Sequence, residues 1–315
     1  MNHRIEYVTL TTISSDQKFN LNTSFGFNTI RNSIMAIGII YPLLAWKNDY
    51  SILLIDGFKR FEIAKNLGII ELPFILLPSN LCPTEIVKIR YHNIKQEDTE
   101  LNAHQKLCLY KLIKESGPTA DILNKWQKIL NISNPEKNQH ILNWPKIARD
   151  YIYHYNVSIK QLQFFIDQTY QVIEKVFLFA TSLSMRIVEL STITELIYEI
   201  ALNENVSFIS ILERDQIKTI MLNDDLNRNQ KILKLKNLIY EWRFPTITKY
   251  QKQINDQLNE LSFTNNTIIQ YDKSLDRHEI ALSTKLKTIE DLNRFTGLLN
   301  HDSNKKILHN ILTSL

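Results

Sequence analysis

The chain has 315 residues, 44% of them hydrophobic, enough for about two or three domains with cores of their own. A net charge of +4 and a pI near 8.8 permit a nucleic-acid partner without requiring one. Two cysteines, Cys82 and Cys108, make no secreted disulfide framework and show no metal-ligand spacing, which points to a reducing, cytoplasmic setting. The opening MNHRIEYVTLTTISSDQ lacks the apolar core of a signal peptide. The longest apolar run, Ile34 to Trp46, has 13 residues and is broken by Gly38 and Pro42, too short to span a bilayer.

In chain order, RIEYVTLTTI alternates like a strand. FNTIRNSIMAIG follows as a short amphipathic helix, with Asn28 as candidate N-cap and Gly38 as its stop. IIYPLLAWKNDYSILLIDG reads as a β-hairpin through Lys47-Asn48-Asp49. Asp56-Gly57 breaks the second strand, and Phe58, Phe61, Ile63, Ala64 and Leu67 then recur at helical steps. Gly68 ends that helix, and Leu72 to Leu77 forms another strand. CPTEIVKIRYHNI is a helix that Thr84 can cap after Pro83, and NAHQKLCLYKLIKES is the next one.

The strand–Gly57–helix turn raises a chemical question, because Lys59 and Arg60 occupy the first turn of its helix. Cations there face the positive end of the helix dipole, which is mildly unfavourable. An anion held at that end would reverse the balance, since free N–H groups, dipole and both cations would converge on it. The alternative is that both side chains simply project into water.

From about residue 119 to 260 the periodicity is helical, with breaks at Asn134-Pro135, Trp144-Pro145, Asn156-Val157-Ser158 and Phe244-Pro245. NWPKIARDYIYHYNVSIKQLQFFIDQ has a helix–turn–helix outline, with Pro145 opening the first helix and a second expected from Ser158. Residues 228–252 hold seven basic side chains against one acid, Glu241, interleaved with aromatic residues. Arg228, Lys231, Lys234 and Lys236 are the candidate DNA contacts there; the competing reading is a solvated amphipathic helix. After a loop at SFTNNT, TIIQYD and HEIALSTKL suit two antiparallel strands, with Ile280, Leu282, Thr284 and Leu286 on one face. Thr288 and Asp291 then resemble a capping box.

Three segments carry a family likeness: FNTIRNSIMAIGIIYPLLAW, YSILLIDGFKRFEIAKNLGIIELPFILL and IRYHNIKQEDTELNAHQK. In order and spacing they resemble the nucleotide-binding boxes of the ParB family, within the ParB/sulfiredoxin superfamily. The resemblance covers residues 1–112 and continues more weakly beyond. It implies an α+β chain: a ParB-like nucleotide-binding domain over 1–115, a helical DNA-binding domain over 116–261, and a C-terminal β-β-α dimerisation unit over 262–315. It also implies CTP as ligand and DNA as partner, a homodimer associated with the nucleoid, and a ParA-type ATPase in chromosome or plasmid partition.

By position, Gly57, Lys59 and Arg60 match the family's phosphate loop, with Phe58 where a Glu usually stands. Gly38, Tyr41 and Pro42 match the turn that lines the nucleotide pocket, and Asn93 matches the Asn of the third box. Two departures bear on catalysis. His92 stands for the Glu that resembles a magnesium ligand, and Gln96 stands for an Arg. Neutral imidazole suits Mg²⁺ poorly, and losing the Arg removes a bidentate phosphate donor, so at most a weak CTPase is expected. Phe58 stands where sulfiredoxin needs its reactive Cys, which excludes that chemistry. A free-serine-kinase-like enzyme on the same scaffold is the competing class, with Glu62, Glu97 or Asp98 as candidate bases.

Overall fold

A computed structural model describes residues 4–14, 16–22, 28–48, 51–95, 100–263, 266–277 and 279–314, with residues 28 and 29 given by backbone alone. Compactness divides the chain between Thr194 and Glu195.

The first unit is mixed α/β at its start. It runs β1 (Ile5–Thr9), α1 (Asn28–Ile37), β2 (Leu43–Lys47), β3 (Ile52–Asp56), α2 (Phe58–Asn66) and β4 (Glu71–Leu77). The strands form one sheet in the order β1-β4-β2-β3. β2 and β3 are the expected antiparallel hairpin, pairing Ala45 with Leu54, and β4 lies antiparallel to β1, pairing Ile5 with Ile75. β2 and β4 run parallel, with Leu43 beside Phe74, so α2 is the crossover between the two halves of the sheet. Leu43, Ala45, Leu54, Leu72, Phe74 and Leu77 are buried, and α2 adds Phe58, Phe61, Ile63 and Ala64. These are the positions that the helical spacing singled out, apart from Leu67, which caps the helix.

Two further helices close the sheet region, α3 (Pro83–Lys95) and α4 (Ala103–Glu115). Thr84 does not cap α3: the Glu85 carboxylate accepts from the Cys82 N–H at 2.9 Å, and the Thr84 hydroxyl meets Ser116 Oγ at 2.9 Å. α4 begins with a capping box in which Asn102 and Gln105 exchange side-chain and backbone bonds. Then come α5 (Ala120–Ile129), α6 (Pro135–Asn138), α7 (Lys146–His154), α8 (Tyr170–Ser182) and α9 (Ile187–Glu204). The α7–α8 region buries Trp144, Tyr151, Phe165 and Phe177, with the Tyr151 and Phe177 rings 5.0 Å apart.

The helix–turn–helix expectation is overturned at its second half. Asn156 makes the turn with φ +49, but Lys160–Phe165 winds as a six-residue 3₁₀ helix. Ile159, Leu162, Phe165 and Ile166 are all buried, and the Phe165 ring lies 5.6 Å from that of Phe177. A segment that spends its apolar side chains inward over so short a length presents no base-reading helix.

The second unit contains α10 (Phe208–Leu212), α11 (Asp215–Leu222), α12 (Arg228–Arg243), α13 (Pro245–Asn259), β5 (Thr267–Tyr271), β6 (Ile280–Thr284), α14 (Ile289–Asn300) and α15 (Asp302–Ser314). β5 and β6 pair antiparallel, Ile269 beside Leu282, and Thr288 with Asp291 form the expected capping box of α14. Phe208, Ile211, Ile217, Ile232, Leu235 and Ile239 are buried in the unit's first half, and toward its end Ile254 of α13 and Ile311 of α15 form a small cluster against which Leu258, Tyr271, Leu275, Ile280 and Ile307 pack. The hairpin therefore leans on α13 of its own chain. Ser262 N–H to Asn304 Oδ1 and Gln251 Nε2 to the Lys273 carbonyl tie the same pieces together.

Candidate functional site

The site is built on the turn between β3 and α2. Gly57 adopts φ +92, a conformation that favours glycine, and it occupies the N-cap position of α2 with no side chain capping the helix. A Cβ placed there would lie 2.8 Å from Leu43 Cγ, so the turn is seated directly against β2. Its carbonyl accepts from the Phe61 N–H at 2.9 Å, which leaves the N–H groups of the first turn without intrahelical partners.

Around this turn lies a cleft of about 860 Å³, a size typical of small-ligand sites. Gly38, Tyr41, Gly57, Lys59, Arg60 and Asn93 all line it. Three separate stretches of sequence thus bring six of the seven matched positions to one hollow. Pro42 is not among the lining residues, but its carbonyl accepts from Arg60 Nη1 at 3.2 Å. Arg60 Nη1 also donates to the carbonyl of Tyr41. Arg60 is therefore half-buried and ties the α1–β2 turn to α2, and Lys59 holds its ammonium 5.7 Å from the Tyr153 ring centre. Neither cation simply projects into water.

The rest of the lining carries no such sequence signature. Asp56 and Arg90 meet in an ion pair of 2.7 Å at the cleft. Glu100, Asn102, Gln105, Tyr153 and Asn156 also line it, so α4 and α7 contribute as well as the sheet region. Arg90 had a signal: it interrupts the apolar face of α3 between Val87 and Ile94, one helical turn before Asn93. Phe58 is a core residue, 2% exposed.

His92 is exposed on α3 and is not among the cleft residues; its ring packs edge-on to Tyr91 with centroids 5.5 Å apart. No group of three or more His, Cys, Asp or Glu able to hold a metal ion occurs among the described residues. Gln96, Glu97 and Asp98 lie outside the described residues, and Glu62 does not line the cleft. The Cys108 thiol is pushed up to about 12 by burial, which keeps it protonated and unreactive.

The candidate DNA contacts lie on α12, and they do not form one face. At about 100° per residue, Lys234 and Lys236 point about 160° apart around the helix. Lys231 Nζ donates to the Met221 carbonyl at 2.8 Å, and Arg228 Nη1 to Asn229 Oδ1 at 2.9 Å. Arg243 pairs with Glu199 at 2.6 Å. Lys234 stands exposed, while Ile232, Leu235 and Ile239 are buried on the inner face.

One buried group beside the cleft wall sets a pH limit. Burial first, and the nearby Arg149 charge second, hold His104 down to about 4. The unfolded chain takes up this proton near pH 6.5, so between 6.5 and 4 it binds more protons than the native state. Stability is therefore full above pH 6.5 and is lost as the pH falls toward 4, by on the order of 3 kcal/mol. Urea unfolding of the wild type should weaken steeply from pH 7 to 4.5, and His104→Gln should flatten that slope; equal slopes would refute the assignment.

No protein-family model matches the sequence, and no curated protein matches it. Solved structures do. The C-terminally truncated chromosome-partitioning protein ParB from Caulobacter crescentus, complexed with CTP-γ-S, aligns at 13% identity with a TM-score of 0.28. That alignment covers 55% of this chain and 98% of the other. The chain is similar to ParB. A pNOB8-like ParB N-domain aligns at 16% identity over 75% of this chain and 96% of its own, with a TM-score of 0.35. No helix among the described residues is long and apolar enough to cross a membrane.

Proposed function

We propose that this chain is a ParB-like DNA-binding protein of chromosome or plasmid partition, or of nucleoid organisation, whose N-terminal cleft binds CTP. The observation that carries the reading is the convergence of Gly38, Tyr41, Gly57, Lys59, Arg60 and Asn93 on one cleft. A phosphate chain suits the Gly57 turn, where an uncapped helix N-terminus and two first-turn cations lie together. Magnesium and rapid hydrolysis have less support, because His92 lies off the cleft and offers no oxygen ligand. The small-molecule kinase reading gains nothing from Glu62, which is also off the cleft.

Calorimetric titration with CTP, ATP and GTP tests this reading. A charge-assisted phosphate contact contributes about 1.5–3 kcal/mol, so Arg60→Ala should weaken binding about 10- to 100-fold. Arg60→Lys keeps the charge but loses the planar guanidinium whose Nη1 is shared between the Tyr41 and Pro42 carbonyls, and should fall between. Absence of any nucleotide binding by the wild type would end the reading.

The proposed organisation keeps a nucleotide domain over 1–115, a helical DNA-binding region over 116–261 and a homodimerisation unit over 262–315. The packing of β5 and β6 on Ile254 supports extending the last unit back to Pro245. A ParA-type ATPase is the proposed partner. DNA affinity is assigned to the region beyond residue 119. Of the α12 cations, Lys234 is the most exposed and Lys231 is engaged with Met221. Removing Lys231, Lys234 and Lys236 together should reduce the salt slope of DNA binding by up to about 0.9 log units for each phosphate these lysines neutralise. An unchanged slope would assign them to a solvated face.

A further inference from the structure

Asp56 ends β3, and Gly57 follows at once with φ +92. Arg90 sits below this turn on α3 and is 4% exposed. Its Nη1 donates to Asp56 Oδ1 at 2.7 Å, and its Nε to the Phe19 carbonyl at 3.4 Å. Its guanidinium also lies 6.0 Å from the ring centre of Phe58, the first residue of α2. One side chain therefore joins α3, the end of β3, the Phe19 segment and the start of α2.

We propose that Arg90 is a positioning residue for anion binding, acting through Asp56 to hold the Gly57 turn. This rests on the nucleotide reading above. A carboxylate in a cleft that takes a phosphate chain opposes the ligand's charge, and the Asp56 side chain is 34% exposed there. At 2.7 Å the two charges largely cancel, so the pair adds little net attraction for an anion. Its contribution is geometric. Leu43 closes one side of Gly57 at van der Waals range, and Arg90 fixes the residue before it and packs on the residue after it. The first-turn N–H groups of α2 are held beside the cleft by that double restraint.

The sign of one substitution separates geometry from charge. Asp56→Asn removes a negative charge from the cleft, so electrostatics alone makes CTP bind more tightly. Positioning makes CTP bind more weakly, by about tenfold or more, as the Arg90–Asp56 ion pair is replaced by a weaker bond from the Arg90 guanidinium to a neutral amide oxygen. Arg90→Met should weaken binding likewise, and Arg90→Lys should recover part of the loss. Hydrogen exchange on the protein without nucleotide is the second arm. In Asp56→Asn and Arg90→Met, the Phe61 amide, which is hydrogen-bonded to the Gly57 carbonyl, should exchange faster while the amides of α8 keep their protection. If Arg90→Met does not fold, Asp56→Asn carries both arms. Tighter or unchanged CTP binding by Asp56→Asn, or unchanged exchange of the Phe61 amide, overturns the proposal. If the wild type binds no nucleotide, the functional reading fails, and the exchange arm still decides whether Arg90 holds the turn.

Discussion

Gly57→Ala should destabilise the first unit by about 2–4 kcal/mol and remove nucleotide binding, whereas Gly68→Ala should cost only about 1–2 kcal/mol and leave binding intact. Both glycines have positive φ, +92 and +70, so both substitutions carry the left-handed backbone penalty. They differ in what surrounds them. A Cβ at Gly57 meets Leu43 Cγ at 2.8 Å, and Leu43 is wholly buried in the centre of the sheet beside Phe74. Leu43 cannot withdraw without disturbing that pairing, so the turn must move instead. A Cβ at Gly68 meets nothing within 4 Å. A moved turn also shifts Arg60, whose guanidinium is anchored to the Tyr41 and Pro42 carbonyls across the cleft. Urea unfolding and CTP calorimetry on the two variants provide the comparison. Equal costs at the two glycines, or retained CTP binding by Gly57→Ala, would refute this account of the turn.

The same turn shows why part of the site could be read from sequence and part could not. Strand–Gly–helix grammar is local: apolar runs, one glycine and a change of period place Gly57, Lys59 and Arg60 without any tertiary knowledge. The hairpin, α2, α3 and the Thr288–Asp291 capping box were legible for the same reason. Contacts that join distant segments were not. Asp56 is a strand terminus and Arg90 a helix residue, 34 positions apart, and only the fold brings them to 2.7 Å. Tyr153 reaches the cleft from a helix that sequence assigned to another region. The helix–turn–helix reading failed through a related gap. Periodicity in SIKQLQFFIDQ suits a helix, but the chain buries Leu162 and Phe165, the latter beside Phe177, and winds there as a 3₁₀ helix. The packing of the hairpin beyond SFTNNT on Ile254 is another contact between separate segments that local pattern does not carry.

The last expectation is a homodimer through the C-terminal elements. Within one chain, only Ile254, Asn304 and Ile311 are buried between Pro245 and Ser314 among the described residues. No strand residue of β5 or β6 is buried, and α14 buries none. A two-stranded hairpin is marginal in water by itself, and each of its strands keeps an open edge. α14 adds an apolar stripe at helical spacing, Ile289, Leu292, Phe295 and Leu299, of which Ile289 is 73% exposed and Leu292 45%. A second copy related by a twofold axis would cover both the stripe and an edge with one self-complementary surface. Truncation after Leu261 is a blunt probe, because it also strips Tyr271, Leu275, Ile280 and Ile307 from Ile254. Ile289→Lys with Leu292→Lys is sharper, since both side chains are already exposed and the single-chain core is untouched. Sedimentation at about ten micromolar should show a dimer for the wild type and a monomer for the double variant, because losing one central apolar anchor costs about 2 kcal/mol, roughly 30-fold in affinity. A wild type that sediments as a monomer would remove the dimer, and a variant that stays dimeric would move the interface away from α14.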